Sequence, residues 1–212
     1  MAAVYLIRHG RTRWNKEEVF RGQTEVPLDD WGRRQAQAVG RALQGKGIEA
    51  VITSPLGRAV ETAELAKLAW GDIPLLVEPG LTDVHFGEWQ GLSRQEVASR
   101  YPQLYRDWAQ HPGQVAFPGG EIMEEAAERC WEAFQRICND YRGRSVAVVT
   151  HRVITKILLN RVLGAGWQGF WKLRQDTACI NLLESAGEFL VVQHLNETCH
   201  LKELGAGDRI DF

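Results

Sequence analysis

The sequence predicts an α/β fold, a mostly parallel central sheet with helices on both faces. Apolar runs of strand length recur at residues 4–7, 50–53 and 145–149. Segments with helical spacing lie between them, the alternation that builds parallel sheets. No internal repeat or low-complexity tract interrupts it. A chain of 212 residues is long enough to bury a sizeable core, and one domain across residues 1–212 accommodates it.

The first strand, residues 4–7, runs directly into Arg8-His9-Gly10, where the glycine marks a loop. Ligands of open α/β sheets gather outside the carboxyl ends of strands. A histidine at such an end, flanked by cations, suits an anion. Residues 16–30 form a short polar loop carrying Arg21-Gly22-Gln23-Thr24 and anchored by Phe20 and Leu28. Asp29 or Asp30 caps a helix over 31–44 that places Ala36, Val39 and Leu43 on one face, and Gly45 and Gly47 end it. After the strand at 50–53, Ser54-Pro55 supplies a cap and a first-turn proline for a helix to about residue 68.

A third strand follows at 75–77. Residues 81–92, with Asp83, His85, Gly87, Trp89 and Gly91, form a structured loop, and Ser93 with Glu96 makes a capping box for the next helix. A helix over 101–110 and a proline- and glycine-bearing loop over 111–120 precede a long helix over 121–141 with an acidic first turn. His151 stands just past the strand at 145–149, and a helix covers 152–163. Two final strands, 178–183 and 189–194, flank the turn Ser185-Ala186-Gly187, and the tail from Asn196 carries no strong signal.

Hydrophobic residues make up 44% and charged residues 25%, as in soluble globular proteins, and the net charge of −2 argues against nucleic acid or an acidic membrane surface as partner. The Met-Ala-Ala-Val start has no basic region before an apolar segment, and no apolar run approaches the roughly 20 residues of a membrane span. Four cysteines without a Cys-x-x-Cys pair read as reduced, mostly buried thiols of a cytoplasmic protein.

His9 and His151 share one context, each directly after a buried strand. If those strands are neighbours, both imidazoles face one crevice, with Arg58 projecting from the helix after the second strand and Asp83 from the loop after the third. Two histidines, at least two arginines and a carboxylate fit phosphoryl transfer: cations hold the equatorial oxygens, an imidazole attacks and a carboxyl group donates a proton. Each residue alone is weak evidence; the joint pattern carries the argument. Arg11 and Arg13 read as solvated or rim charges, and Trp89 and Trp108 as packing residues. His85 is close enough to Asp83 to line the site. Neither His9 nor His151 has a helical partner of the His-Glu-x-x-His kind, so no metal or other cofactor is expected.

Leu6-Ile7-Arg8-His9-Gly10-x-Thr12-x-Trp14-Asn15 resembles the signature of the histidine phosphatase superfamily, the phosphoglycerate mutase-like fold. Ser54-Pro55-Leu56-x-Arg58-Ala59-x-x-Thr62-Ala63 resembles its second motif, and Leu81-x-Asp83-x-x-Phe86-Gly87-x-Trp89-x-Gly91 its acid-bearing loop. Pro118-Gly119-Gly120-Glu121 and Val148-Val149-Thr150-His151 resemble the late motifs, in the family's order. The resemblance implies that His9 becomes a phosphohistidine, that Arg8, Arg58 and His151 bind the phosphoryl group with Asn15 assisting, and that Asp83 is the proton donor. It places Gln23 and Thr24 on the substrate-facing loop and gives Glu121 a supporting role near the crevice. Two positions depart from the pattern. Asp83 stands where glutamate is usual, one methylene shorter and more acidic, about 3.9 against about 4.3. Arg152 stands where glycine is usual, as a rim cation or a solvent-facing one.

The function expected is a metal-independent phosphomonoesterase acting on a small phosphorylated metabolite. A phosphoglycerate mutase is the alternative within the fold, but Arg21-Gly22-Gln23-Thr24-x-x-Pro27-Leu28 resembles phosphatase members, where mutases usually show a Gly-Trp pair. A non-catalytic phospholigand-binding protein of the same fold is the alternative outside enzymes, opposed by the intact Arg8, His9, Arg58 and His151. Trp167, Phe170 and Trp171 fit either a core edge or a homodimer interface.

Overall fold

The structure is a computed structural model describing residues 3–186 and 189–205. Strand β1 (Ala3–Arg8) is followed by α1 (Arg13–Lys16), α2 (Asp30–Ala42), β2 (Ile48–Thr53), α3 (Gly57–Lys67) and β3 (Leu75–Val77). Then come α4 (Arg94–Arg100), α5 (Pro102–Gln110), α6 (Met123–Asp140), β4 (Ser145–Thr150), α7 (Arg152–Val162), β5 (Ile180–Ala186) and β6 (Phe189–Glu197). The described strands form a six-stranded sheet in the order β3-β2-β4-β1-β5-β6. The first four in that order run parallel; β5 pairs antiparallel with β1, and β6 antiparallel with β5.

Side-chain alternation along the strands assigns the two layers. Val4 and Leu6 of β1 and Val146 and Val148 of β4 pack with Phe134 of α6 and with Ile154 and Leu158 of α7. Tyr5 and Ile7, with Ala147 and Val149, face the opposite layer, where Val39 of α2 and Ala59 and Ala63 of α3 cover them. Strands buried on both faces read as continuous apolar runs, which is why they were visible in the sequence.

Several boundaries differ from the sequence expectations. The helix after β2 starts at Gly57 rather than at Pro55, and the Ser54 hydroxyl accepts from Leu56 N (3.3 Å) while its oxygen lies 2.7 Å from His151 Nε2. Glu121 stays outside α6, whose acidic first turn is Glu124 and Glu125. The tail holds a 3₁₀ turn, Cys199–Leu204. Ser185 and Ala186 belong to β5, and Gly187 lies outside the described residues. All four cysteines are free; Cys130 and Cys179 are buried, Cys138 is half-buried, and Cys199 is exposed, against the expectation. Phe170 is buried, which fits the core edge, whereas Trp171 is exposed while its indole donates to Trp108 O (3.1 Å). Among the described residues no helix is long and apolar enough to cross a membrane.

The loop that carries Asp83 rests on an aromatic cluster. Trp89 is fully buried, with its ring edge-on to Phe20 (5.0 Å) and Phe117 (5.1 Å), and Phe86 meets Phe117 at 4.9 Å. Gly87 takes φ +53°, and a Cβ there would sit 2.0 Å from Pro118 O, so only glycine lets the two loops close. Trp89→Ala should therefore lower unfolding free energy by about 3–5 kcal/mol in urea titration. A loss below about 1 kcal/mol would show that the cluster does not hold the loop.

Candidate active site

Pairing of Leu6 with Val148, Ile7 with Val149 and Arg8 with Thr150 brings β1 and β4 to an end at one level. His9 N donates to Thr150 O (2.9 Å), and the rings of His9 and His151 lie 5.2 Å apart. The chain leaves β1 toward α2 on one face and leaves β4 into α7 on the other, which opens a crevice at a topological switch point. A Cβ on Gly10 would meet Gly32 O at 2.5 Å, so glycine is what allows the first turn of α2 to close the crevice floor.

His9 is fully buried, and its Nδ1 lies 2.7 Å from Gly10 O. A carbonyl only accepts, so Nδ1 carries the proton and Nε2 presents its lone pair, with no hydrogen-bond partner among the described residues. Burial, then Arg58, His151, Arg8 and Arg21, hold the imidazole well below its ordinary value of 6.5 and keep it neutral. His151 is depressed in the same way, chiefly by burial and then by Arg58 and Arg21; its Nδ1 lies 3.8 Å from Asp83 Oδ2.

Three arginines close around these rings. Arg8 Nη1 donates to Gln175 O (2.6 Å). Arg58 donates from Nη1 to Thr24 O (3.0 Å) and from Nη2 to Gly22 O (2.6 Å) and Asp83 Oδ2 (3.3 Å). Arg21, which the sequence reading treated only as part of its loop, is buried with Nε and Nη1 unbonded among the described residues. Burial pushes Arg8 and Arg21 down to about 9, still cationic at neutral pH. The Asp83 carboxyl is pushed up by burial, against the opposing pull of Arg58 and Arg21.

The other expected residues divide. Asn15 accepts from Thr12 N (2.8 Å) and leaves Nδ2 buried without a partner among the described residues, a donor facing inward. Gln23 and Thr24 position other groups: Gln23 Nε2 donates to Asp83 O (3.0 Å), and Thr24 offers its carbonyl to Arg58. His85 is half-buried beside Asp83, and its Nδ1 accepts from Gly87 N (3.3 Å), which closes the turn after the Asp83 loop. Glu121 accepts from His85 N (2.7 Å) and pairs with Arg129 (2.9 Å), which also donates to Gly80 O and Thr82 O; this clamp holds both sides of Asp83. Arg152 lines a cavity shared with Arg21 and Asp83 and lies 5.9 Å from the Trp171 ring, so it faces the site. Lys156, one turn further along α7, lines the same cavity and was absent from the sequence-based set; its four-residue spacing from Arg152 was the available signal. Arg11 pairs with Asp29 (2.8 Å), and Arg13 is exposed beside Glu17.

Buried donors without acceptors are unfavourable unless a ligand satisfies them. Asn15 Nδ2, Arg21 Nε and Nη1 and Arg58 Nε are such donors, next to a neutral imidazole lone pair. The arrangement suits a tetrahedral oxyanion.

The chain matches the model of the histidine phosphatase superfamily (branch 1) over residues 4–198 and belongs to that family. It is 32% identical to Phosphoglycerate mutase-like protein 4 of Arabidopsis thaliana over 96% of this chain and 89% of the relative. It is 28% identical to Phosphoserine phosphatase 1 of Hydrogenobacter thermophilus over 96% of each. Among solved structures, YhfR of Bacillus stearothermophilus superposes with a TM-score of 0.89 at 29% identity, over 95% of this chain and 100% of that one. The protein is a phosphatase of the histidine phosphatase type.

Two measurements check the electrostatics. Orthophosphate at about 100 times its Kd should stabilise the fold by about 2.7 kcal/mol, a rise of several degrees in Tm by differential scanning calorimetry. No shift would mean that these donors do not converge on one anion. Because His9 and His151 stay neutral in the fold while unfolded imidazoles take up protons below about 6.5, the unfolded state binds more protons there. Their contribution to stability therefore fades as pH falls below that value. Asp83 acts in the opposite sense nearer its ordinary 3.8. The urea midpoint should drop between pH 7.5 and pH 5.5, and the drop should shrink in His9→Asn.

Proposed function

We propose that the protein is a metal-independent phosphomonoesterase that hydrolyses a small phosphorylated metabolite through a phosphohistidine on His9. The observation that carries this reading is the His9 imidazole itself: Gly10 O holds the proton on Nδ1, leaving a neutral Nε2 as nucleophile. Arg8, Arg21 and Arg58 take the phosphoryl oxygens, with His151 Nδ1 and Asn15 Nδ2 beside them. As Nε2 bonds to phosphorus, the ester P–O bond breaks and Asp83 gives its proton to the departing alkoxide. Water then attacks the phosphohistidine, Asp83 takes up the proton, and orthophosphate leaves with His9 neutral again. The cations already surround the phosphoryl position, so charge neutralisation needs no divalent ion.

An aspartate serves as the acid for a physical reason. The Gln23 and Glu121–Arg129 contacts hold its backbone close in, and burial raises its proton affinity, which offsets the greater intrinsic acidity of the shorter side chain. The names of relatives, phosphoserine phosphatase among them, favour a small monoester, as does the restricted space around the site.

His9→Ala should lower kcat on p-nitrophenyl phosphate by at least about 10³-fold and abolish acid-labile, base-stable labelling from ³²P substrate. Labelling at the wild-type level in that variant would remove His9 as nucleophile. Asp83→Asn should slow hydrolysis of alkyl phosphates by about 10²–10⁴-fold and of activated aryl phosphates far less. Equal losses would remove Asp83 as the leaving-group acid. Activity should persist in EDTA, and loss restored by a divalent ion would overturn the metal-free mechanism.

A further inference from the structure

Next to the phosphoryl-binding crevice lies a cavity of about 40 Å³. Arg21 and Asp83, which also belong to the crevice, line it together with Arg152, Lys156, Phe170 and Trp171. About 10–15 Å³ holds one water. The space therefore admits a group of carboxylate size.

Lys156 is the anomaly in this cavity. It is 3% exposed, and Nζ lies 4.6 Å from the Trp171 ring centre and 5.1 Å from that of Phe170. Among the described residues no oxygen accepts a hydrogen bond from it. Cation–π contacts recover only part of what burying an ammonium costs. Arg152, four residues earlier on α7, adds a like charge at a spacing that destabilises helices. The charged groups facing Lys156 are Arg152 on its own helix, Arg8 at the end of β1, and Arg21 and Asp83 across the cavity. Three of those four are cations. Burial, then Arg152 and Arg8, push the ammonium down to about 7. A methionine would fill the space between the two rings without any of these penalties, so a cation there is explained by an anion that enters the cavity. The phosphoryl group has its own set of cations, so that anion belongs to another part of the substrate.

We infer that this cavity is a second recognition site and that Lys156, supported by Arg152, binds a carboxylate on the alcohol portion of the phosphomonoester. The inference rests on the phosphatase reading above and narrows its substrate class to small phosphorylated carboxylic acids.

The test compares 3-phosphoglycerate with glycerol 3-phosphate, which differ by a carboxylate in place of a hydroxymethyl group, with p-nitrophenyl phosphate as the reference for basic chemistry. The wild-type protein should favour the carboxylate substrate at least tenfold in kcat/KM at pH 6.5. Lys156→Met and Lys156→Gln should each reduce that ratio by tenfold or more, and Lys156→Arg should retain most of it. Because kcat/KM reports groups of the free enzyme, the wild-type ratio should also shrink from pH 6.5 to pH 8.5 as Lys156 loses its proton; both substrates carry the phosphate, so its ionisation cancels. A wild-type ratio near one, or a ratio unchanged in both the methionine and glutamine variants, would overturn the inference while leaving the phosphatase intact. Absence of phosphate release from all three compounds would instead overturn the phosphatase reading, and this inference with it.

Discussion

The hydrogen bond from His9 N to Thr150 O extends the parallel ladder of β1 and β4 by one residue, and the placement of both histidines follows from that register. It brings two histidines, 142 positions apart in the chain (151 − 9), to a ring separation of 5.2 Å at the carboxyl ends of adjacent strands. A slip of one residue in β4 would turn His151 to the opposite face and turn Val148 away from its layer. The same apolar alternation that buries the sheet therefore aligns the site. Ser54, at the end of β2, completes the rim by holding His151 through Nε2, which leaves Nδ1 toward Asp83.

That alignment concentrates positive charge where water is excluded, and the fold offsets it mainly with carbonyl dipoles. Gln175 O receives Arg8, and Gly22 O and Thr24 O receive Arg58; Asp83 is the carboxylate among them. Carbonyls orient the guanidinium groups without neutralising them, so the crevice stays cationic and ready for a phosphate dianion. Burial above all, and then the surrounding guanidinium groups, keep the His9 imidazole neutral. A carboxylate-rich crevice would have raised the imidazole instead and cancelled the attraction for phosphate. Attraction for an anion and the neutrality of the imidazole thus share part of their electrostatic origin.

Precision at Asp83 comes from a separate set of contacts. Trp89, Phe86 and Phe117 fix the loop from below, Glu121 and Arg129 clamp its backbone on both sides, and Gln23 holds the Asp83 carbonyl. An aspartate reaches less far than a glutamate, so its loop has less latitude. These contacts give it a rigid base, as the proposed acid–base role of Asp83 requires.

The sequence by itself determined the architecture and the centre of the site. Buried parallel strands write themselves as apolar runs, and the histidines that end them, with Arg8, Arg58 and Asp83, stand in an order that the fold brings together. What it did not show depends on partners distant in the chain. The His9 tautomer follows from a single carbonyl, the burial of Arg21 from how its loop folds over Arg58, and the local contacts of His85 from Glu121 and Gly87. Arg8 meets Gln175 across 167 positions, a separation at which residue spacing carries no information. Lys156 reads as an ordinary polar residue in a helix until Phe170 and Trp171 close over it. Local patterning decides which residues can form strands and helices; tertiary packing alone decides which polar atoms are left without partners, and in the crevice those atoms include Asn15 Nδ2, Arg21 Nε and Nη1 and Arg58 Nε.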